Sequence, residues 1–275
     1  MAKVYVTAIF GLGRFPSAMS TDLLILTVYF ICVGYVLYQM ALSLEKRFED
    51  QIAIHLDSDS LQTEVTGQIG QQGKTNRMTA EVVEAVNGLR SLVLSLWTSP
   101  QGEKPNGTVE IQVLPQGRKP LNPPLQALVV QVANRNPDVQ IYIDWDRSSI
   151  NRMQGQTERV IRQIPGMPLD LLQPQVFSVV NPEQALNATI FPESLFARNA
   201  ENQTLEAKAA LINFEQVIEL PDKIPKTYSL RLLVWLKRTI EEDAQAMRLL
   251  IPFNFTMEVL PDEPAFFVLR WIFSR

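Results

Sequence analysis

The segment LVVQVANRNPDVQIYIDWDRSSI, Leu128–Ile150, decides the fold of this chain. After the turn sequence NRNPD, apolar Ile141 and Ile143 alternate with Tyr142 and Asp144, and the residues before the turn alternate in the same way. A period of two places successive side chains on opposite faces of a strand. The segment therefore predicts two strands joined by a tight corner, each with one buried face.

Short runs of the same kind recur from residue 100 onward, where seventeen of the eighteen prolines lie. Turn-forming residues separate them, without helical patterns of 10–15 residues in between. The predicted strands are Thr108–Leu114, Leu125–Ala133, Val139–Trp145, Arg159–Ile164, Gln175–Val180, Leu205–Phe214, Tyr228–Lys237, Pro252–Leu260 and Ala265–Phe273. The pattern favours a mainly β fold, with an antiparallel Greek-key β-sandwich over residues 101–275. Arg238–Arg248 fits a short helix or a long loop.

One uncharged run, Leu23–Leu44, has the length of a membrane span. Its 22 residues would form a helix of about 33 Å, enough to cross a hydrocarbon core of roughly 30 Å. Charged residues bound it on both sides, and it is longer than the apolar part of a cleaved signal peptide. We predict a tail at residues 1–21 and a single-pass signal-anchor at residues 22–45, in contact with the lipid bilayer through Leu23–Leu44.

Positive charges flank the anchor almost equally. Lys3, Arg14 and the amino terminus precede it, and Lys46 and Arg47 follow it. The small excess before the span favours an amino terminus inside and a large domain outside the cytoplasm, in a periplasm or a lumen. The only cysteine, Cys32, lies within the span, so the rest of the chain has neither a disulfide nor a thiol nucleophile.

Residues 46–100 are predicted to form a stalk and an amphipathic helix. Asp57–Arg77 is polar and contains Gln, Gly and Ser, as linkers do. In Thr79–Trp97, apolar residues recur at spacings of three and four, which predicts a helix with one apolar stripe. Leu89, Leu92 and Leu96 lie on that stripe, which would pack on the neighbouring domain, a partner helix or the membrane surface.

Three motifs resemble catalytic sites but lack the required context. GQIGQQGKT, Gly67–Thr75, has its first glycine one residue too early for a phosphate-binding loop, so a linker is the better interpretation. HLDSDS and IDWDRSS have the Asp-x-Asp spacing of aspartyl phosphotransferases but not the parallel sheet that this chemistry uses. Asp144 and Asp146 fit turns at the end of a strand with Ser148 and Ser149, or, as an alternative, a calcium site.

The residue inventory disfavours an enzyme. His55 is the only histidine, so a Ser-His-Asp triad within the domain and a zinc site of several histidines are both excluded. A net charge of −4 gives no footprint for nucleic acid. We expect no catalytic residue, no metal and no cofactor.

Two further stretches are candidate interfaces. The basic stretch of Arg147, Arg152, Arg159 and Arg162 would form a solvated edge or contact lipid headgroups or an acidic partner. The carboxyl-terminal AFFVLRWIFSR is apolar on both faces as a strand, which fits a core strand or a docking strand. The candidate interface residues are Leu89, Leu92, Leu96, Arg147, Arg152, Trp271 and Phe273.

The strand, Asn-rich corner and second strand of residues 128–150 resemble those of membrane-anchored Ig-like sandwich domains of the LEA14/WHy kind. The layout, with sixteen arginines to nine lysines and many glutamines, also resembles uncharacterised single-pass membrane proteins of cyanobacteria. The resemblance implies a fold and a membrane anchor, and it implies no activity.

Together these features predict a membrane-anchored, non-enzymatic interaction or scaffold protein. Its partners would be an integral membrane or membrane-associated protein complex, of which it would be an accessory subunit. The alternative is an extracytoplasmic module that binds a lipid or a glycan. A scaffold needs an exposed apolar patch, whereas a binding module needs a closed pocket of roughly 300–1,000 Å³.

Overall fold

The computed structural model of the chain describes the residue ranges given at the end of this paragraph. They fall into two units, one with the apolar helix and one with residues 51–260. Side chains are described within the helix only for residues 23–40. The described ranges are 17–48, 51–75, 77–85, 88–97, 104–153, 155–167, 169–200, 204–221, 223–239 and 246–260.

The first unit contains a helix, α1 (Ser17–Phe48), which confirms the predicted helix over the uncharged run. Its segment Leu23–Met40 is long and apolar enough to cross a membrane. Large apolar side chains are exposed along it, as Leu23 (66%) and Tyr38 (59%) illustrate. The Thr27 hydroxyl donates to the Leu23 carbonyl at 2.8 Å, which satisfies this polar group within the helix.

The second unit is mainly β, and every pairing between its named strands is antiparallel. Its helices are α2 (Ser58–Gln71), the short 3-10 helix Glu193–Leu195 and α3 (Phe214–Glu219). Its strands are β1 (Gln51–Leu56), β2 (Met78–Glu84), β3 (Arg90–Leu96), β4 (Gly107–Leu114), β5 (Gly117–Pro120), β6 (Leu128–Arg135), β7 (Val139–Asn151), β8 (Thr157–Gln163), β9 (Ser178–Val180), β10 (Ala185–Pro192), β11 (Phe196–Arg198), β12 (Leu205–Ala207), β13 (Thr227–Arg238) and β14 (Met247–Val259).

Twelve strands form one curled sheet in the order β2-β3-β4-β6-β10-β8-β7-β13-β14-β1-β5, with β9 also paired to β7. Strands β11 and β12 form a separate two-stranded sheet. The curled sheet encloses one core, in which Val109 and Ile111 of β4 lie in the same cluster as Ile251 and Phe253 of β14. The antiparallel β-sandwich predicted from the sequence is therefore confirmed.

The corner between β6 and β7 is a buried polar turn. The Asn134 side-chain amide donates to the carbonyls of Val139 (2.7 Å) and Val180 (3.3 Å). The Asn134 and Asn136 side-chain oxygens accept from the backbone N–H groups of Asn136 and Asp138. Because these amides satisfy backbone groups that no strand pairs, the NRNPD sequence can turn inside the protein.

The predicted helix Thr79–Trp97 is wrong, because this segment forms the hairpin of β2 and β3. Met78 pairs with Leu96 and Glu84 pairs with Arg90, and the turn includes Gly88 at a φ of 72°. The segment is rich in valine, which favours strands. Short apolar runs also match both the helical and the strand period, so periodicity alone chose the wrong element.

The predicted stalk is also wrong, because residues 51–71 belong to the folded domain. Strand β1 pairs with β14 and β5. Helix α2 begins after Asp57, whose side chain accepts from the Ser60 N–H at 3.1 Å, and it buries Leu61, Val65 and Ile69. The sandwich domain thus begins at residue 51 rather than 101. Gly67 and Gly70 of the apparent phosphate loop lie inside α2.

Glutamine side chains of α2 take the place of a neighbouring strand. The Gln68 side chain donates to the Leu250 carbonyl at 2.7 Å and accepts from the Leu250 N–H at 2.8 Å. Gln72 donates to the Arg248 carbonyl at 2.7 Å. Strand β1 pairs with β14 only between Phe255 and Val259. The glutamines therefore satisfy backbone groups of β14 that its neighbouring strand does not reach.

The remaining strand predictions largely agree with the structure. Leu205–Phe214 differs, because β12 ends at Ala207 and Phe214 begins α3. Strands β5, β10 and β11 were not predicted. Ala265–Phe273 and residues 240–245 lie outside the described residues, so the carboxyl-terminal strand stays a prediction.

We predict that Gln68→Ala lowers the free energy of unfolding by about 1 kcal/mol, because two hydrogen bonds to Leu250 are lost. Gln71→Ala is the matched control, because no hydrogen bond is described for the Gln71 side chain. Denaturant unfolding of the full chain in detergent micelles, followed by tryptophan fluorescence, measures both. Equal effects of the two substitutions would contradict the assignment.

Candidate functional site

A bulge interrupts the pairing of β7 with β13. Arg231 pairs with Ser149 and Leu233 pairs with Asp144, so residues 145–148 lie opposite Leu232 alone. The Ser148 hydroxyl accepts from the Leu233 N–H at 3.0 Å and donates to the Asp144 carbonyl, which closes the bulge. Bulges redirect side chains and are common beside functional sites. This one places Asp146 next to β8.

Asp146 is the centre of a hydrogen-bond network. Its Oδ1 accepts from Arg159 Nε at 2.9 Å and from Arg159 Nη2 at 2.6 Å. The Gln175 N–H donates to Asp146 Oδ2 at 2.8 Å, and Gln175 Nε2 donates to Oδ1 at 3.1 Å. Partial burial alone would raise the pKa of the Asp146 carboxyl, but the hydrogen bonds from Arg159 and Gln175 outweigh it and hold the pKa below its ordinary value.

The same network fixes the connection between β8 and β9, residues 164–177, which we call the 164–177 loop. Arg159 donates to the carbonyls of Leu171 (3.0 Å) and Gln173 (3.1 Å). Gln175 donates to the Val160 carbonyl at 2.6 Å. The described part of the loop contains neither helix nor strand. Its backbone is therefore held at Leu171, Gln173 and Gln175 by side chains of the bulge and of β8.

This fixed loop presents apolar side chains to solvent. Leu172 is 92% exposed, Val176 76% and Met167 64%. Exposed apolar area costs free energy in water, at roughly 25 cal/mol per Å². A loop with a fixed backbone and exposed apolar side chains is typical of a recognition surface.

A cleft of about 1050 Å³ lies between the loop and the hairpin of β11 and β12. Ile164, Met167 and Leu171 line it from the loop, and Phe196 and Leu205 line it from the hairpin. Polar side chains, among them Asp170 and Arg198, complete the lining. The cleft can accept an apolar segment of a partner or an elongated ligand.

An aromatic cluster adjoins the loop on the outer side of the sheet. The Phe177 and Trp235 rings lie 5.3 Å apart, and the Arg248 guanidinium lies 4.7 Å from the centre of the Trp235 ring. Leu233 and Leu250 pair on the same face. The indole Nε1 of Trp235 is buried without a hydrogen-bond partner among the described residues. We call these five residues the Trp235 face.

Arg162 lies beneath the loop as a partly buried cation. Its Nη1 donates to the Ser178 hydroxyl, which also accepts from Trp145 Nε1 at 2.9 Å. No ion pair of Arg162 is found within the described part of the chain. Burial lowers the pKa of the Arg162 guanidinium from its ordinary value. This arrangement joins the loop, the bulge and β9 into one polar layer.

A second ion pair supports the opposite side of β8. Glu158 accepts from Arg152 Nη2 at 2.6 Å and from the Ser194 N–H at 3.1 Å. Burial opposes ionisation, but the hydrogen bonds from Ser194 and Arg152 hold the pKa of the Glu158 carboxyl below its ordinary value. Arg152, predicted as an interface residue, is thus largely engaged within the domain.

The predicted interface of Leu89, Leu92 and Leu96 does not form. Leu92 is fully buried and Leu96 packs against the core, whereas Leu89 lies in the turn of the hairpin beside Gly117. The helical stripe that would have joined these residues does not exist, so this prediction is wrong. The two core leucines stabilise the sandwich instead.

Arg147 fits a surface role better than Arg152 does. Its side chain is 65% exposed at the bulge, 3.7 Å from the nearly buried Asp144 carboxylate. Trp271 and Phe273 lie outside the described residues, so their interface role stays a prediction. The structure therefore brings Arg147 close to the new site but keeps the leucines away from it.

The motif IDWDRSS is a bulge and not the end of a strand, because β7 continues to Asn151. Asp144 Oδ1 accepts from the Arg147 N–H at 3.1 Å, and Asp146 is engaged by Arg159 and Gln175. No group of three metal-ligating side chains is found among the described residues. The described geometry therefore gives no support to the calcium alternative.

The 164–177 loop was not among the sites predicted from the sequence. A signal was present, because the stretch IPGMPLDLLQPQVF combines three prolines with many apolar residues and lacks any period. Prolines disfavour a regular strand, and apolar residues without a period have no face to bury. This combination indicates an apolar loop that its surroundings must hold in place.

Comparisons with protein families, with curated proteins and with solved structures each found no match to this chain.

We predict that Asp146→Asn lowers the free energy of unfolding by roughly 1–3 kcal/mol at pH 7, because charge-assisted hydrogen bonds from Arg159 are weakened. A carboxyl group whose pKa is lower in the folded than in the unfolded state stabilises the folded protein at pH values above its pKa in the unfolded state. This contribution is lost as the pH falls through the pKa of the folded state. The difference between wild type and variant should therefore be constant above about pH 5 and shrink below about pH 4. Denaturant unfolding of the full chain across this pH range measures it, and a difference independent of pH would contradict the role of Asp146.

Proposed function

We propose that this chain is a membrane-anchored, non-enzymatic interaction protein that binds a partner protein through the 164–177 loop. The observation that carries the proposal is the combination of a backbone fixed by Asp146 and Arg159 with a Leu172 side chain that is 92% exposed. A preformed loop loses little conformational entropy on binding, so its apolar side chains contribute more of their burial to affinity.

The anchor supports a role within a membrane complex. Helix α1 and the β domain belong to one chain, so insertion of α1 in a bilayer would confine the domain to that membrane. Confinement raises the effective concentration of the loop toward a partner in the same membrane. We therefore propose an accessory subunit of a larger membrane complex.

The proposed location of the domain is extracytoplasmic, periplasmic or lumenal. The support is the small excess of positive charge before the span that is described above. The resemblance to membrane-anchored Ig-like domains of the LEA14 kind is part of the same proposal, and the antiparallel sandwich is compatible with it.

The cleft beside the loop supports a second candidate function. Its volume of about 1050 Å³ is near the upper end of the range for small-molecule sites, roughly 300–1,000 Å³. A lipid chain or a glycan could occupy it, in which case the chain would be an extracytoplasmic binding module. Partner binding is favoured because Leu172, which borders the cleft, is 92% exposed, and because Val176, which is 76% exposed, lies outside the cleft lining.

We predict that Leu172→Glu abolishes association with the partner complex while leaving the melting temperature unchanged within about 2 °C, because this side chain contributes little to the core. Val83→Glu is the matched control, since Val83 is 43% exposed on β2, at the end of the sheet order. Native-membrane extraction, affinity purification and mass spectrometry compare the two variants. Association that survives Leu172→Glu would contradict the proposal, and co-purified lipid lost only in this variant would favour the binding module.

We also predict the orientation. In a chain with Cys32→Ser and Val83→Cys, where Val83 lies away from the proposed interface and is 43% exposed, a membrane-impermeant maleimide should label the cysteine from outside intact cells or spheroplasts. Cys32→Ser with Lys3→Cys is the matched control, and it should react only after lysis. The reverse pattern of labelling would place the domain in the cytoplasm.

A further inference from the structure

The Trp235 face is surrounded by positive charge. On β13, Arg231 and Lys237 alternate with the buried Leu232, Val234 and Leu236, so they share the outer face with Trp235. Arg248 lies on the same face of β14, opposite Trp235.

Negative charge on this face is scarce among the described residues. Asp144 is 5% exposed, and it lies beside Arg147 at the edge of the face. Asp146 is engaged by Arg159, as described above. Glu258 lies at the far end of β14, where it pairs with His55 at 3.5 Å. The aromatic rings of the face are therefore surrounded by four cationic side chains, and the carboxylate beside them, that of Asp144, is nearly buried. The four cationic residues are Arg147, Arg231, Lys237 and Arg248.

The positive charge is a local feature and does not follow from composition. The chain as a whole has 29 acidic and 25 basic residues, with a net charge of −4. The structure describes no ion pair for Arg231, Lys237 or Arg248. Arg248 instead lies over the Trp235 ring, which keeps its guanidinium beside the aromatic surface. Such segregation of charge favours an occupant of the opposite sign.

From this charge complementarity we propose that the Trp235 face binds an acidic segment of the partner protein. In the partner sequence this segment would lie next to the apolar residues that are proposed to contact Leu172. The inference rests on the function proposed above, and it specifies the chemistry of the partner. Arginine side chains bind carboxylates with two parallel hydrogen bonds, and the aromatic rings contact the apolar residues between those carboxylates.

The loop and the face adjoin at Phe177, the last residue of the loop, whose ring contacts Trp235. The partner segment should therefore combine apolar residues with a run of Asp or Glu. The apolar part supplies most of the affinity, and the acidic part supplies the rate of association and the selectivity.

The test uses the full chain in its native membrane, with a photoreactive benzoylphenylalanine at position 172 or at position 248. The yield of crosslinked partner from position 172 is measured in wild type, in Arg231→Glu and in the charge-preserving control Arg231→Lys. Arg231 is suited to this exchange, since it is exposed and no hydrogen bond is described for its side chain. Melting of each variant verifies that it remains folded.

We expect Arg231→Glu to lower the crosslinking yield about tenfold, Arg231→Lys to retain it, and 0.5 M salt to reproduce the loss in wild type. The partner peptide crosslinked from position 248 should carry a run of acidic residues.

A yield from position 172 that is insensitive to charge and salt would overturn the proposed acidic segment while leaving the proposed docking loop intact. Failure of position 172 to crosslink any partner would overturn both proposals. Crosslinks from position 248 to phospholipid, to this chain's own residues 240–245 or to a second copy would show that the occupant is not an acidic partner segment.

Discussion

The contact between Asp146 and Arg159 is the interaction on which the rest of the proposed site depends. Asp146 accepts four hydrogen bonds, from Arg159 and Gln175, and Arg159 in turn donates to two loop carbonyls. Without the hydrogen bonds of Asp146 and Arg159, the backbone of the connection between β8 and β9 would lose the partners that hold it in place. The apolar residues would then collapse onto the domain or fluctuate, and the surface they form would be lost.

Polar side chains perform the same task elsewhere in the domain. Gln68 pairs with both backbone groups of Leu250, and Gln116 does the same for Arg90, accepting from its N–H and donating to its carbonyl at 2.9 Å. Asn134 closes the corner between β6 and β7. A side-chain amide carries one donor group and one acceptor, as the peptide group does, so it can continue a ladder where a strand ends. Backbone groups beyond the ends of the strand pairings are thereby satisfied without additional strands.

The alternation of apolar and polar residues was sufficient to predict most strands beyond residue 100. It was insufficient for β2 and β3, because a short valine-rich run such as Val82–Val86 fits both periods. It was also insufficient for α2. Glutamine and glycine made this segment resemble a linker, and its buried stripe is short, with only Leu61, Val65 and Ile69. Local sequence does not reveal that the missing apolar contacts are supplied by the sheet.

The site was harder to predict than the fold because it is assembled from distant segments. Asp146, Arg159 and Gln175 are separated by 13 and 16 residues along the chain, and the bulge that brings them together depends on the pairing of β7 with β13. The sequence identified Arg147 and the motif IDWDRSS as unusual, but it predicted a simple turn there. Exposure of Leu172 and Val176 follows from the fixed backbone and could not be deduced from their apolar character, which predicts burial.

We propose that the 164–177 loop is preformed and becomes covered in the assembled complex. Hydrogen–deuterium exchange of the full chain, alone in detergent and within its native membrane complex, measures both properties. We expect the N–H groups of Leu172 and Gln175, which donate to Asp170 and Asp146, to be partly protected in the isolated chain and further protected in the complex, whereas β2 and β3 do not change. Rapid exchange of these two amides in both states, or new protection confined to β2 and β3, would contradict the proposal.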